Sequence, residues 1–246
     1  MYGILKKKYG QNFLIDKNIL TKINTLIPNK NLRIIEIGPG NGQLTDYILN
    51  TKPIYLKLIE IDIDLIQLLN RKYSSKKNIE ILNEDILKYN LIDNVDLIIS
   101  NLPYNISSQI LVKICLMDFA PSNLILMFQK EFAERLLDVK LNSLNSLVGC
   151  FYDIDSSFNV SKNCFRPIPK IDSTVLSFKR KKKILLKKKE VNEYIKFKRS
   201  LFTHKRKTLN NLLRNYNFDK KKYDLSLRIE DISLGLLLKI FKEVNF

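Results

Sequence analysis

The chain has 246 residues, 45% of them hydrophobic, and carries a formal net charge of +17 at pH 7. That length holds one full α/β domain with a small appendage. No apolar run approaches the roughly 20 residues a membrane span needs, and Met1 to Lys8 has too short an apolar stretch for a secretory signal. Cys115, Cys150 and Cys164 lie far apart with no paired spacing, which argues against a zinc site and a disulfide framework and for reduced thiols in a cytoplasmic protein. His204 is the single histidine, so a multi-histidine metal site is excluded.

In chain order, Ile19, Leu20, Ile23, Leu26 and Ile27 follow helical spacing behind Asp16, a natural N-cap. Apolar, strand-like runs then alternate with helical stretches, at 33–37, 55–59, 79–82, 95–100 and 123–128. Such alternation predicts a parallel sheet with helices on both faces, and the stretches 149–155 and 174–178 would complete it. After Phe178 the run Lys179-Arg180-Lys181-Lys182-Lys183 marks a junction. The expected organisation is therefore an α/β, Rossmann-like domain over 1–178 and a basic helical domain over 179–246. The second part lacks strand alternation and suggests three or four short helices, the last from Leu234 to Phe241.

Chemistry is concentrated where the expected strands end. Arg33 to Ile37 runs into Gly38-Pro39-Gly40-Asn41-Gly42, followed by an apolar helical stretch from Leu44. Strand, glycine loop and helix make a nucleotide-type site, because glycines let backbone approach a ligand. A dinucleotide fingerprint would want a small residue at position 43, where Gln43 stands, so a dehydrogenase fits poorly. Glu36 completes Glu-x-Gly-x-Gly-x-Gly, the form associated with S-adenosylmethionine. Glu60 ends the next run, where a carboxylate can accept both ribose hydroxyls. Asp85 follows the third, placed to accept from an adenine amine.

Asn101-Leu102-Pro103-Tyr104 follows the fourth run. The Asn101 amide oxygen and the Leu102 or Pro103 carbonyl can both accept from an exocyclic amine, turning its lone pair toward an electrophile. Pro103 stiffens the turn, and Tyr104 offers a face on which a base can stack. Taken alone, the four residues also fit an ordinary strand-to-helix turn with Ser107 as N-cap.

The charge is uneven. Residues 1–178 carry 21 Lys and Arg against 18 Asp and Glu, while 179–246 carry 21 against 7, a net of +14. A concentrated basic segment is the electrostatic footprint of nucleic-acid binding, with Lys205, Arg206, Lys207 and Arg214 as candidate phosphate contacts. A lysine-rich composition throughout the chain is the competing explanation.

Together these residues resemble the KsgA-type dimethyltransferases of small-subunit ribosomal RNA over nearly the whole chain. Tyr9-Gly10-Gln11-Asn12-Phe13-Leu14-Ile15-Asp16 resembles the family's N-terminal cofactor segment. Gln129-Lys130-Glu131, the stretch from Phe165 to Ser173 and Arg206-Lys207-Thr208 match further motifs. The resemblance implies an S-adenosylmethionine-dependent methyltransferase sheet with an antiparallel final strand pair. It implies transfer of two methyl groups to the N6 amine of each of two adjacent adenosines near the 3′ end of the RNA. By the same resemblance Asn12, Leu14, Gly38, Glu60, Asp85 and Asn101 line the cofactor site, and Phe165 stacks on the target adenine opposite Tyr104. The implied partner is the pre-ribosomal small subunit, met by a monomer. Three alternatives stay open: a resistance-type methyltransferase of large-subunit RNA, a non-catalytic assembly or transcription factor on the same fold, and a small-molecule or DNA amine methyltransferase. Position 102, a leucine where DNA enzymes carry proline, speaks against the last.

Overall fold

The computed structural model describes residues 11–28, 31–91, 94–117 and 120–244. Tyr9 and Gly10 of the opening motif, and Met1 to Lys8, lie outside the described residues.

β1 (Phe13–Leu14) leads into α1 (Lys17–Thr25). Asp16 caps that helix, its Oδ1 accepting the N–H groups of Asn18 at 2.8 Å and Ile19 at 3.0 Å. The chain then alternates through β2 (Arg33–Ile37), α2 (Gln43–Leu49), β3 (Tyr55–Glu60), α3 (Ile63–Tyr73) and β4 (Ile79–Asn83). It continues with β5 (Leu97–Asn101), α4 (Ser107–Cys115), β6 (Asn123–Gln129) and α5 (Lys130–Leu137). After α6 (Asn145–Val148) come β7 (Tyr152–Val160), β8 (Phe165–Arg166) and β9 (Ser173–Arg180). The remainder is helical: α7 (Val191–Phe202), α8 (Leu209–Leu212) and α9 (Leu234–Glu243), with 3-10 turns between.

The seven-stranded sheet has the order β4-β3-β2-β5-β6-β9-β7. The pairs from β4 to β6 are parallel, and β9 runs antiparallel to β6. Buried on both faces, the central strands read as near-continuous apolar runs. The chain winds outward from β2 through β3 to β4, then restarts at β5 on the other side of β2. That reversal puts the topological switch point between β2 and β5, where open α/β sheets bind ligands beyond the strands' carboxyl ends. Gly38 and Asn101 stand there.

One expected strand differs. Residues 149–151 are turn, their N–H groups donating back to Asn145, Leu147 and Val148 carbonyls, and β7 begins only at Tyr152. Its polar stretch Asp153 to Ser156 is largely exposed at the sheet's edge, so hydrophobicity does not reveal it.

The described residues divide into two compact units: those up to Ala133 with Ile154–Arg180, and Glu134–Asp153 with those from Lys181 onward. A single cut after Phe178 assigns 134–153 to the first domain; the structure packs them into the second unit instead. There Leu147, Val148, Cys150, Phe151 and Tyr152 are buried. Tyr194 Oη donates to the Ser146 carbonyl at 3.1 Å, and Lys198 Nζ to Ser143 Oγ at 2.9 Å. Burial pushes the Lys198 ammonium down to about 8. Tyr194, Phe197 and Phe241 form this unit's aromatic centre, with ring centroids 5.1 Å and 5.6 Å apart.

Candidate active site

The carboxyl ends of β2, β3, β4 and β5, closed by β1, enclose a cleft of about 920 Å³ with its open mouth included. Asn12, Leu14, Gly38, Glu60, Asp85, Asn101, Leu102, Pro103 and Tyr104, separated by up to 92 positions in sequence, all line it.

The glycine loop is built for close approach. Gly38 has φ 65°, and a Cβ there would meet only Pro103 Cδ, at 4.0 Å, so the missing side chain leaves cleft space for a ligand. A Cβ on Gly40, φ 60°, would stand 2.7 Å from the Phe13 ring, which packs over the loop from β1. Behind the loop, α3 supplies a clamp. Lys72 Nζ donates to the Gly42 carbonyl at 3.1 Å and to Asp46 at 2.6 Å, and Tyr73 Oη lies 2.9 Å from the Gly42 carbonyl.

Each acid has a distinct local task. Glu60 Oε1 accepts the N–H groups of Ile61 at 2.9 Å and Asp62 at 3.0 Å, while Oε2 accepts that of Gly40 at 3.1 Å. One carboxylate thus ties the end of β3 to the glycine loop and keeps lone pairs for a ligand hydroxyl. Burial raises its pKa despite the three donors, which pull the other way. Asp85 Oδ1 accepts Leu87 N–H at 2.9 Å in an Asx turn that aims the acid at the cleft. Glu36 is the most deeply buried of the acids, 1% exposed, with Thr45 Oγ1 donating to it at 2.6 Å. Desolvation pushes its pKa up to about 8.

Asn101 Nδ2 donates to the Asn12 carbonyl at 2.9 Å. Only the amide nitrogen can donate there, so this hydrogen bond fixes the rotamer and leaves Oδ1 as the acceptor. Next to it, the Pro103 carbonyl is taken by Ile106 N–H at 3.1 Å, whereas that of Leu102 accepts no hydrogen bond among the described residues. Of the two carbonyls the sequence leaves open, the Leu102 one is available. Tyr104 Oη hydrogen-bonds Ser173 Oγ at 2.6 Å, which holds the ring at the cleft wall; burial raises the phenol's pKa against that hydrogen bond. Ser107 begins α4 and donates to the Tyr104 carbonyl at 3.2 Å, so it does not cap the helix in the ordinary sense.

Phe165 departs from expectation. It is 0% exposed, pairs with Leu14 through β8 and β1, and belongs to the hydrophobic core below the cleft rather than its lining. An unsubstituted aromatic ring gains more from that dry packing than from a place at an open mouth. Conversely, sequence reasoning passes over Phe13, Ile61 and Ile86, which line the cleft. Ile61 and Ile86 directly follow Glu60 and Asp85 and set apolar surface beside each acid, but the acid-isoleucine step recurs elsewhere in the chain, as at Glu80-Ile81 and Asp153-Ile154, so it does not single them out.

In the second unit, Lys205, Arg206 and Lys207 are exposed on the turn after α7, and Arg214 is exposed after α8. Lys205 reaches Glu230 at 3.7 Å, a surface pair too weak to sequester it. His204 is exposed on the same turn. Among the described residues no disulfide joins the cysteines, and no His, Cys, Asp or Glu cluster suits a metal ion. No helix among them is long and apolar enough to cross a membrane.

A family model described as ribosomal RNA adenine dimethylase matches residues 4–245. The chain belongs to the ribosomal RNA adenine dimethylase family. It is 40% identical over 259 residues to a ribosomal RNA small subunit methyltransferase A of Mycoplasmopsis pulmonis, covering 98% of this chain and 99% of that one. A protein of the same name from Pelagibacter ubique is 37% identical, covering 99% of this chain and 98% of its own. Among solved structures, a dimethyladenosine transferase from Plasmodium falciparum superposes with a TM-score of 0.82 at 26% identity, covering 95% of this chain and all of that one. The family uses S-adenosylmethionine, and the cleft at the switch point is where its fit is to be judged. Its residues fit that molecule: an open glycine loop, carboxylates at two strand ends, and apolar partners beside each acid.

Proposed function

We propose that this protein methylates the exocyclic N6 amine of adenosines in small-subunit ribosomal RNA with S-adenosylmethionine, placing two methyl groups on each of two adjacent adenosines near the 3′ end during ribosome biogenesis. The observation that carries this is the fixed Asn101 amide. Its nitrogen is committed to Asn12, so its oxygen, next to the open Leu102 carbonyl, presents a paired acceptor to an NH₂ group. Relatives bearing the small-subunit name, similar over nearly the full chain, favour that RNA over the large-subunit alternative.

When bound, S-adenosylmethionine supplies an electrophilic methyl group. Glu60 and Asp85 would hold its ribose and adenine, with Gly38 leaving room for its backbone and Asn12 and Leu14 closing the near wall. The protein's own contribution is alignment. An adenine N6 lone pair is delocalised into the ring and is a poor nucleophile. Acceptors at Asn101 and Leu102 favour a more tetrahedral nitrogen and aim its lone pair, a matter of positioning and preorganised dipoles. Tyr104 offers a face to the extruded base. The basic face with Lys205, Arg206, Lys207 and Arg214 supplies phosphate contacts in a pre-ribosomal particle, and the protein acts as a monomer in the cytoplasm.

The test is methylation of small-subunit particles from cells lacking the gene, read by primer extension across the 3′ end of the RNA. Stops at two adjacent adenosines, dependent on Asn101, are expected. Their absence with active wild-type protein would refute the proposal.

A further inference from the structure

Residues 167–172 form an arch whose ends are fastened to cleft-lining residues. At one end Arg166 pairs across the β1–β8 ladder with Phe13. At the other, Ser173 Oγ holds Tyr104 Oη at 2.6 Å. Asp172 braces the arch from inside: its carbonyl accepts Lys130 N–H at 3.0 Å and its Oδ1 accepts Lys162 N–H at 2.8 Å. At the tip, Pro167-Ile168-Pro169 presents Ile168, 53% exposed, and the flanking cations Arg166 and Lys170 are exposed too. The two prolines fix φ and offer no N–H, so the tip is stiff.

A single exposed isoleucine means nothing by itself. Ile54, Ile61 and Val139 are exposed as well. Ile168 differs in its mounting: a rigid, cation-flanked tip anchored to the residues where the target base is to be gripped. An enzyme that draws a base out of a stack leaves a gap, and apolar side chains inserted between base steps hold such gaps open.

We propose that Ile168 is a wedge that occupies the place vacated by the target adenosine in the RNA stack, with Arg166 and Lys170 on the neighbouring phosphates. This rests on the reading of the substrate as an RNA adenosine. Because the arch and Tyr104 share the Ser173 hydrogen bond, the wedge and the receiving face are set at a fixed distance from each other. Ile168 is then a positioning residue that acts before methyl transfer and does not touch the cofactor.

The experiment compares wild type and Ile168→Ser on two RNAs carrying the small-subunit target sequence, one with the target adenosine stacked in a helix and one with it already displaced in a bulge. A fluorescent adenine analogue beside the target reports unstacking. Ile168→Ser should slow single-turnover methylation of the stacked RNA by about tenfold or more and reduce the unstacking signal. On the bulged RNA it should recover to within about twofold of wild type, with S-adenosylmethionine affinity and melting temperature unchanged. Equal rates for variant and wild type on the stacked RNA, or equal slowing on both RNAs, would overturn the wedge alone. A wild type inactive on both RNAs and also on small-subunit particles from cells lacking the gene would overturn the substrate reading and the wedge with it.

Discussion

Asn101 donates its side-chain N–H to the backbone carbonyl of Asn12, joining residues 89 positions apart at 2.9 Å. The turn proposed to grip the amine is therefore oriented by the segment that also closes the cleft. An amide is required: a carboxylate would face a carbonyl, and a methyl group would orient nothing.

Asn101→Ala should lower the single-turnover rate by about 10²-fold or more, the scale for loss of one preorganised polar group. Asn101→Asp should fail as badly, because it keeps an acceptor but has no N–H to give the Asn12 carbonyl. Both should fold. Quench-flow methylation at the wild-type rate in either variant would remove the assignment.

Glu60 and Asp85 should separate under isosteric change. Glu60→Gln sets an NH₂ group against backbone N–H donors that now point at a carboxylate, so it should lose both thermal stability and roughly 1–3 kcal/mol of cofactor affinity. Asp85→Asn can keep Oδ1 on Leu87 N–H, so it should lose affinity with stability near wild type. Calorimetry and thermal melts on both read this contrast; unchanged affinity in both would defeat it.

Burial holds the folded-state pKa of Glu36 at about 8 against an ordinary 4.5. An acid raised on folding binds its proton more tightly in the native state. Its contribution to stability is present below the unfolded pKa and is lost as pH rises toward the folded one. Stability should fall between those values by at most about 1.4 kcal/mol per pH unit from this group. Glu36→Gln should flatten that part of the profile, as measured by urea unfolding across the range.

Phe165→Ala should cost about 3–5 kcal/mol of unfolding free energy, as removal of a core aromatic does. The properly folded fraction should retain most of its turnover. A variant of full stability with collapsed turnover would instead restore the stacking role that the sequence pattern implies.

Neutralising Lys205, Arg206, Lys207 and Arg214 together should weaken RNA binding and leave cofactor binding intact. Removing each cation–phosphate pair should flatten the slope of log K against log salt by about 0.7–0.9. Filter binding across a salt series measures it, and unchanged slopes would make these cations mere surface charge.

The sheet was legible because buried parallel strands are apolar throughout, and short runs such as Leu97 to Ile99 and Leu124 to Phe128 alternate with helical stretches. The strand-end acids were legible because the fold repeats its geometry at each turn. What escaped was set by neighbours distant in sequence. Nothing local distinguishes a stacking Phe165 from a buried one; the β1–β8 ladder that seals it joins segments about 150 positions apart. The edge strand β7 was hidden by its solvent-facing polar residues.

The second unit is sewn from two separate lengths of chain, Glu134–Asp153 and the stretch from Lys181. Leu185 N–H and Lys181 N–H donate to the carbonyls of Cys150 and Phe151, at 3.0 Å and 2.9 Å, as its seam. A recombination junction near residue 180 would therefore transplant only the second length and leave Leu147, Val148 and Tyr152 without their packing partners. A single crossover before Glu134 keeps both lengths together only by carrying β7 to β9 with them, so the unit and that edge of the sheet are expected to travel through lineages together.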